Sequence, residues 1–179
     1  VPQQLGAWTI EFWIYPFNNV ANQNILTGRY NGFIQGLSYV MNGSTSSLYL
    51  TTYKDQWDTT TSQKWDITTG NNTNYPSGIP VLNTWSHIAI SFSGTMYYMY
   101  VNGVMQFNIL SSKQVHPNFW KLVSIGGFMG YVDGIRISNI SRYTKNFMPP
   151  LAAQTNDAYT IYLNNFADST SVVAPSQTM

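Results

Sequence analysis

The sequence predicts an all-β fold built as a sandwich of two antiparallel sheets, and three observations support this prediction. Residues 8–15 and 85–92 alternate apolar and other side chains with a period of two, which is typical of a strand with one buried face. Asn102-Gly103 separates two strand-like segments, and this dipeptide favours the type I′ turn of a hairpin. Turn residues recur between short strands without a βαβ rhythm, as they do in antiparallel sandwiches.

The two alternating segments also predict the core. Their apolar faces consist of Ile10, Phe12, Ile14, Ile88, Ile90 and Phe92, which we expect to point into one interior. Further strands are predicted at residues 24–30, 33–41, 47–53, 95–101, 104–109, 121–126, 131–137 and 158–163. Residues 139–145 predict a single helical turn, which ends before Pro149-Pro150 because proline cannot continue a helix.

The length of 179 residues predicts one domain, over 1–166, followed by a loose Ser/Thr/Pro-rich tail over 167–179. Charged residues make up only 8% of the chain, against about a quarter of a typical soluble protein. The polar surface is therefore expected to consist mainly of neutral hydrogen-bonding groups. Such a composition is common in secreted, cell-surface and virion proteins.

Charge and cysteine content exclude several classes of function. The formal net charge is +1 and the eight basic residues are scattered, so nucleic-acid binding is not expected. No apolar run reaches the ~18–20 residues that span a bilayer, so membrane insertion is not expected. The chain has no cysteine and hence no disulfide or thiolate chemistry. Because it begins at Val1 without a signal-like segment, we expect a processed product or a piece of a longer protein.

Three stretches, read together, resemble laminin-G-like jelly-roll domains of the concanavalin-A-like superfamily. WTIEFWIYP at 8–16 is similar to the family's "tiEfWvyp" strand, and residues 85–104 resemble its "W-x-H-v-A … l-Y-v-N-G" hairpin. Residues 130–138 with 141–150 resemble the closing "G-y-i-D-e-x-R-i-s … a-R-Y-t-x-n-F-x-P-P" segment. This last segment is frequent in structural proteins of phages and large viruses and in bacterial surface proteins. The resemblance implies a jelly-roll sandwich.

The fold hosts lectins, adhesion modules and glucanases alike, so it does not by itself decide the function. The leading interpretation is a non-catalytic module exposed on a virion or cell surface. On a virion it would be a capsid decoration or a tail or fibre component with a structural or adhesion role, and it could bind glycans. The alternative is a carbohydrate-binding lectin domain of a secreted or cell-surface protein, and a glycan-degrading enzyme is a distant third. The expected partners are glycans or other proteins of a larger assembly, and a homo-oligomer stays open. The expected location is extracellular or the virion surface.

Catalysis is not expected, and no catalytic residue is predicted. Retaining glycosidases need two carboxyl groups about 5–5.5 Å apart. The chain contains a single glutamate, Glu11, with no other acidic residue within forty positions of it. No serine lies in the glycine frame of a nucleophile elbow.

The segment 53–66 is the best candidate for a ligand-binding site. Its candidate residues are Tyr53, Asp55, Trp57, Asp58, Trp65 and Asp66. Aromatic rings stack on the C–H faces of sugars, and carboxylates accept hydrogen bonds from sugar hydroxyls. In the alternative interpretation, both tryptophans fold back on a sheet and the aspartates are solvated.

Asp133 is the only metal-ligand candidate. Alternation places it on the face of Tyr131, Ile135 and Ile137, so its carboxylate is expected to point toward the core and to need donors or a cation. Backbone N–H groups or a neighbouring arginine, Arg136 or Arg142, would satisfy it. The alternative is a calcium ligand, as in some relatives, and no other cofactor is expected.

The histidines and the glycosylation motifs give weaker signals. His87 is expected to be structural and His116 to lie in a loop, and their separation fits no metal pair. Asn42, Asn71 and Asn139 each begin an N-x-Ser/Thr motif and are candidate glycosylation sites.

The end of the chain carries one more prediction. Family members usually have a further strand before "tiEfW", whereas only seven residues precede that segment here. An unpaired sheet edge invites association, and proteins normally cover it. Residues 158–163 are therefore expected to pair as an edge strand, within this chain or with a neighbouring copy, with Ile161 and Leu163 buried.

Overall fold

The structure is a computed structural model that describes eight segments of the chain. They are residues 6–18, 23–30, 33–42, 45–52, 65–68, 80–110, 122–124 and 128–166. The described residues form strands and no helix. The strands are β1 (Trp8–Pro16), β2 (Gln23–Tyr30), β3 (Phe33–Asn42), β4 (Thr45–Thr52), β5 (Trp65–Thr68), β6 (Ser86–Phe92), β7 (Met96–Val101), β8 (Val104–Leu110), β9 (Leu122–Ser124), β10 (Gly130–Ser138) and β11 (Thr160–Asn164).

The strands form two sheets. One has six strands in the order β11-β10-β1-β6-β7-β8, and the other has five in the order β5-β4-β3-β2-β9. Every neighbouring pair is antiparallel. The prediction of an all-β, antiparallel two-sheet fold is confirmed. No helix long and apolar enough to cross a membrane is found in the described segments.

The core lies on the inner face of the six-stranded sheet. All six side chains predicted from the alternating segments are at most 2% exposed and belong to one apolar cluster. Ile25 of β2 belongs to the same cluster, so the five-stranded sheet contributes to this core. Burying a side chain of this size stabilises the fold by roughly 1.5–3 kcal/mol. The period-two pattern therefore predicted the core correctly.

The predicted hairpin joins β7 to β8. Asn102 and Gly103 have φ angles of 50° and 75°, as a type I′ turn requires, and Val101 pairs with Val104. The Gly103 carbonyl accepts a hydrogen bond from the Phe147 N–H at 3.0 Å. The turn thus also holds a distant part of the chain.

The helical turn predicted at 139–145 is wrong, and one strand was missed. Residues 139–145 are irregular rather than helical, because Thr9 Oγ1 donates to the Ile140 carbonyl and accepts from the Arg142 N–H, both at 2.8 Å, which ties this segment to β1. The short strand β5 follows a polar stretch without alternation and was not predicted. Residues 158–163 do supply an edge strand, β11, which pairs with β10 of the same chain.

The predicted burial of Ile161 is also wrong, since this side chain is 52% exposed and Leu163 is only half-buried. The reason is the register of β11. Leu163 lies opposite Arg136, on the side of the sheet that faces away from the core, whereas Tyr162 lies opposite the core residue Ile137. β11 also has a described neighbour only on the β10 side. The predicted tail, 167–179, lies outside the described residues.

Candidate functional site

The 53–66 site remains a prediction. Tyr53, Asp55, Trp57 and Asp58 lie outside the described residues, as do Asn71 and His116. Trp65 and Asp66 begin β5, where their backbones pair with Thr52 and Thr51 of β4. Among the other glycosylation candidates, Asn42 ends β3 and Asn139 is exposed directly after β10.

The outer face of the six-stranded sheet carries the polar and aromatic side chains of β1 that alternate with the core residues. Thr9, Glu11, Trp13 and Tyr15 follow one another along this face. Residues 139–150, here called the strap, contact the half of the face that contains Thr9 and Glu11. Aromatic side chains gather on the other half, around Tyr15.

Glu11 is fully buried beneath the strap and lies among donors. Arg136, its partner on β10, donates from Nε and Nη2 to Glu11 Oε1 at 2.9 and 2.6 Å. Tyr143 of the strap donates its hydroxyl to Oε2 at 2.8 Å, and His87 Nε2 lies 3.3 Å from the same oxygen. Each carboxylate oxygen therefore faces a donor from the sheet or the strap.

These partners decide the ionisation of the carboxyl group. Burial by itself would raise the pKa of Glu11, but the contact with His87, the charge of Arg136 and the Tyr143 hydroxyl together hold this pKa below its usual range. Burial and the neighbouring Glu11 carboxylate raise the pKa of Tyr143, which keeps its donor proton. Glu11 is thus an ionised, enclosed carboxylate that joins the strap to the sheet.

Further contacts hold the strap along its length. The rings of Tyr143 and Phe147 stack with centroids 3.6 Å apart, and Phe147 meets Tyr100 edge-on at 5.2 Å. Asn146 Oδ1 accepts the N–H of Met105 at 2.9 Å. These contacts place aromatic and amide groups of the strap against β7 and β8.

Arg142 anchors the strap to the edge of the sheet. It donates from Nε to Ser138 Oγ at 2.6 Å and from Nη2 to Asp157 Oδ1 at 2.8 Å. The hydrogen bond from Arg142 lowers the pKa of Asp157. Both arginines on this face of the sheet are therefore already paired with carboxylates.

Asp133 does not point toward the core, which corrects the sequence prediction. The register shifts between Glu11 and Trp13, where Gly134 has a φ of 58° and forms a bulge in β10. Asp133 then pairs with Trp13 on the outer face, while Ile135 is buried in the core. A one-residue bulge reverses the side to which the preceding residues point.

The Asp133 carboxylate is half-buried, and its Oδ1 accepts the N–H of Gly134 at 2.6 Å. A backbone donor was one of the two interpretations of this residue. Calcium binding at Asp133 stays a prediction. The described part of the chain contains no group of three or more His, Cys, Asp or Glu side chains arranged for a metal.

Four exposed or half-buried aromatic side chains form a group on the outer face, here called the aromatic patch. Its members are Tyr15, Phe17, Trp85 and Tyr131. Trp85 and Tyr131 are nearly parallel, with centroids 6.3 Å apart and planes at 24°, and Phe17 meets Tyr131 edge-on at 4.7 Å. Tyr131 is 51% exposed and Phe17 42% exposed.

Sequence reasoning did not find the aromatic patch, although one signal was available. The outward face of β1 carries Trp13 and Tyr15, where a solvent-facing strand normally carries polar residues. The partners Trp85 and Tyr131 come from distant parts of the chain and reach Tyr15 only through strand pairing.

Comparisons with known proteins agree with the fold. A structure from Bacteroides ovatus, of a protein to which carbohydrate binding is provisionally ascribed, is similar with a TM-score of 0.61 and 15% identity. The similarity covers 94% of this chain and 48% of that one. The enzymatically active domain of tailspike protein 2 from bacteriophage CBA120 gives a TM-score of 0.56 and 11% identity, over 90% of this chain and 27% of that one.

The chain therefore spans about half of the first structure and about a quarter of the second. A search of curated proteins finds no match. A family model, Laminin_G_3, described as concanavalin A-like lectin/glucanases superfamily, matches residues 2–145. The model covers most of the chain, including the strands that build the core and the aromatic patch. The protein belongs to this laminin-G-like family of the concanavalin A-like lectin/glucanases superfamily.

Proposed function

We propose that the protein is a non-catalytic, surface-exposed module that binds glycans within a larger virion or cell-surface assembly. The aromatic patch carries this proposal. Exposed aromatic surface in one place marks an interaction site, because isolated apolar side chains are common on surfaces but contiguous groups are not. Ring faces of this kind stack against the C–H faces of sugars.

The state of Glu11 supports a function without hydrolysis. A retaining glycosidase needs two accessible carboxyl groups at close range. Glu11 is fully buried beneath the strap and paired with Arg136 and Tyr143. Its role in this geometry is to hold the strap, so we expect no turnover of glycans.

The similar structures support a module of a larger protein. One is a protein with ascribed carbohydrate binding and the other is part of a phage tailspike, and this chain corresponds to half or less of each. The preference for a virion over a cell surface comes from the resemblance of residues 130–150 to phage and large-virus structural proteins.

Glycan binding is tested with a glycan array and by affinity electrophoresis in gels containing soluble polysaccharides. The wild-type protein should be retarded by at least one polysaccharide, and Trp57→Ala should lose this retardation if segment 53–66 is the site. Reducing-end release should stay at background for the wild type and for Glu11→Gln. Release by the wild type that disappears in Glu11→Gln would establish an enzyme instead.

A second candidate function, as an assembly module that joins neighbouring subunits, is favoured by β11. This edge strand and its preceding residue expose apolar and aromatic side chains: Tyr159 at 49%, Ile161 at 52% and Tyr162 at 42%. Proteins usually protect such an edge with charges or proline. If the edge joins subunits, sedimentation should show a concentration-dependent oligomer that Ile161→Lys converts to a monomer.

A further inference from the structure

We infer that the aromatic patch binds a neutral glycan, with the Asp133 carboxylate accepting hydrogen bonds from sugar hydroxyls beside the rings. This inference rests on the proposed function and deepens it, since it names the binding surface and the class of sugar. The surface differs from segment 53–66, which the sequence favoured.

The strand register places the stacking and the accepting groups side by side. Tyr131 of β10, Tyr15 of β1 and Trp85, the residue before β6, form a triangle of rings whose centroids are 5.6, 5.9 and 6.3 Å apart. Asp133 lies two residues from Tyr131 on the same strand and the same face, which corresponds to about 7 Å. A sugar that stacks on Tyr131 thus lies within reach of a carboxylate.

Polar groups at the border of the aromatic patch favour a sugar over an apolar ligand. Trp85 and Tyr131 are close to parallel, and each keeps part of its surface exposed. Exposed Asn83 and Thr84 immediately precede Trp85 and add neutral hydrogen-bonding groups at the border of the patch. Sugar sites combine aromatic surface with a few such polar groups.

The distribution of charge selects a neutral sugar. Arg136 is engaged by Glu11, and Arg142 is engaged by Ser138 and Asp157. Lys145 is exposed, but it belongs to the strap, between Tyr143 at Glu11 and Phe147 at the β7–β8 turn. Among the side chains that the structure describes, the aromatic patch therefore has a carboxylate beside it and no unpaired arginine.

Among the side chains of the described segments, no unpaired cation lies beside Asp133 to compensate the charge of an acidic sugar. Two negative charges at close range repel each other, and a desolvated carboxylate or sulfate needs a cation or several donors. A neutral sugar offers hydroxyl donors to the same carboxylate. The aromatic patch thus favours uncharged pyranose chains over chains that carry uronate, sialate or sulfate groups.

The experiment compares neutral with acidic polymers on matched variants. Mixed-linkage β-glucan, galactomannan and dextran serve as neutral probes, and polygalacturonate and polysialic acid as acidic ones, in affinity electrophoresis followed by calorimetry. We expect a neutral probe to bind, with Tyr131→Ala weakening the affinity by about tenfold, or ~1.4 kcal/mol. Tyr131→Phe, which keeps the ring, should bind nearly as well as the wild type.

Asp133 is tested with a conservative change. Asp133→Asn keeps the size of the side chain and an acceptor oxygen but removes the charge. We expect this variant to bind the neutral probe with severalfold lower affinity and to discriminate less against polygalacturonate. Unchanged affinity and unchanged discrimination would contradict the role assigned to Asp133.

The remaining outcomes separate this inference from the proposed function. If no polymer binds, the inference and glycan binding fail together. If an acidic polymer binds and Tyr131→Ala abolishes that binding, the function stands and the neutral class is wrong. If a neutral polymer binds equally to Tyr131→Ala but not to Trp57→Ala, the function stands and segment 53–66 is the site. A dimer that Tyr131→Ala dissociates, without any glycan binding, would assign the aromatic patch to protein contacts.

Discussion

Glu11 and Arg136 lie opposite each other on β1 and β10, and the guanidinium donates twice to Glu11 Oε1, at 2.9 and 2.6 Å. The carboxylate is fully buried and the arginine side chain is 12% exposed. The strap contributes the Tyr143 hydroxyl to the other carboxylate oxygen. The ion pair therefore links β1 and β10 to the strap that covers them.

Removing Arg136 alone should lower the free energy of unfolding more than removing both charges of the ion pair. Arg136→Ala leaves Glu11 buried without its cation, which we expect to lower the free energy of unfolding by about 3–5 kcal/mol. The double variant Glu11→Gln/Arg136→Ala should recover part of this loss. Urea denaturation measures the free energy of unfolding of both variants. Lys145→Ala, at an exposed position of the strap, is the control, and its free energy of unfolding should stay within about 0.5 kcal/mol of the wild-type value. Strictly additive losses would show that the two residues are not coupled.

The Glu11 carboxylate should make the fold sensitive to acid. Its pKa is lower in the folded protein than its ordinary value of 4.5, so the unfolded chain binds the proton more readily. The stability that this group contributes is fully present above about pH 4.5 and is lost as the pH falls through the lower folded-state pKa. Melting temperatures measured from pH 7 to pH 2 should therefore decline below about pH 4.5.

The variant Glu11→Gln isolates this contribution from that of Asp157, whose pKa is also lowered. We expect the melting temperature of Glu11→Gln to fall less steeply with decreasing pH than that of the wild type. Asp157→Asn, which removes the carboxylate paired with Arg142, provides the matched comparison. Parallel curves for the wild type and Glu11→Gln would rule out a contribution of the buried carboxylate in this range.

Gly103 should tolerate no side chain. Its φ of 75° is unfavourable for other residues by roughly 1–2 kcal/mol, and a Cβ atom there would overlap the carbonyl oxygen of Phe147. Gly103→Ala should thus lower the free energy of unfolding by about 2 kcal/mol or more, measured in urea. Gly6→Ala is the control, because no atom lies within 4 Å of its added Cβ. Equal stability of the two variants would contradict the docking of the strap on this turn.

Truncation should show whether β11 is part of the fold. Deleting residues 157–179 removes the pairing of β11 with β10 and the partner of Arg142. We expect a loss of several kcal/mol, since each net backbone hydrogen bond contributes about 1 kcal/mol. A chain ending at Phe166 is the control, because it retains β11. If the chain that lacks residues 157–179 melts at the wild-type temperature, β11 does not stabilise the fold.

The sequence alone was sufficient to predict the fold class, the six core side chains of β1 and β6, the hairpin at Asn102-Gly103 and the edge strand at the end of the chain. These features are local. Period-two burial is expressed within a single strand, and a type I′ turn depends on two adjacent residues. Ile161 was assigned wrongly because the pattern within one strand does not tell which of its two faces the pairing register turns toward the core.

The site required the tertiary structure. Tyr15, Trp85 and Tyr131 are separated by at least 46 positions, and strand register alone brings their rings together. The bulge at Gly134 turned Asp133 to the outer face, although the sequence pattern placed it inside. Glu11 pairs with Arg136, which is 125 positions away in the sequence. Local sequence determines which side chains a strand can bury, whereas pairing between distant strands decides which side chains meet on its outer face.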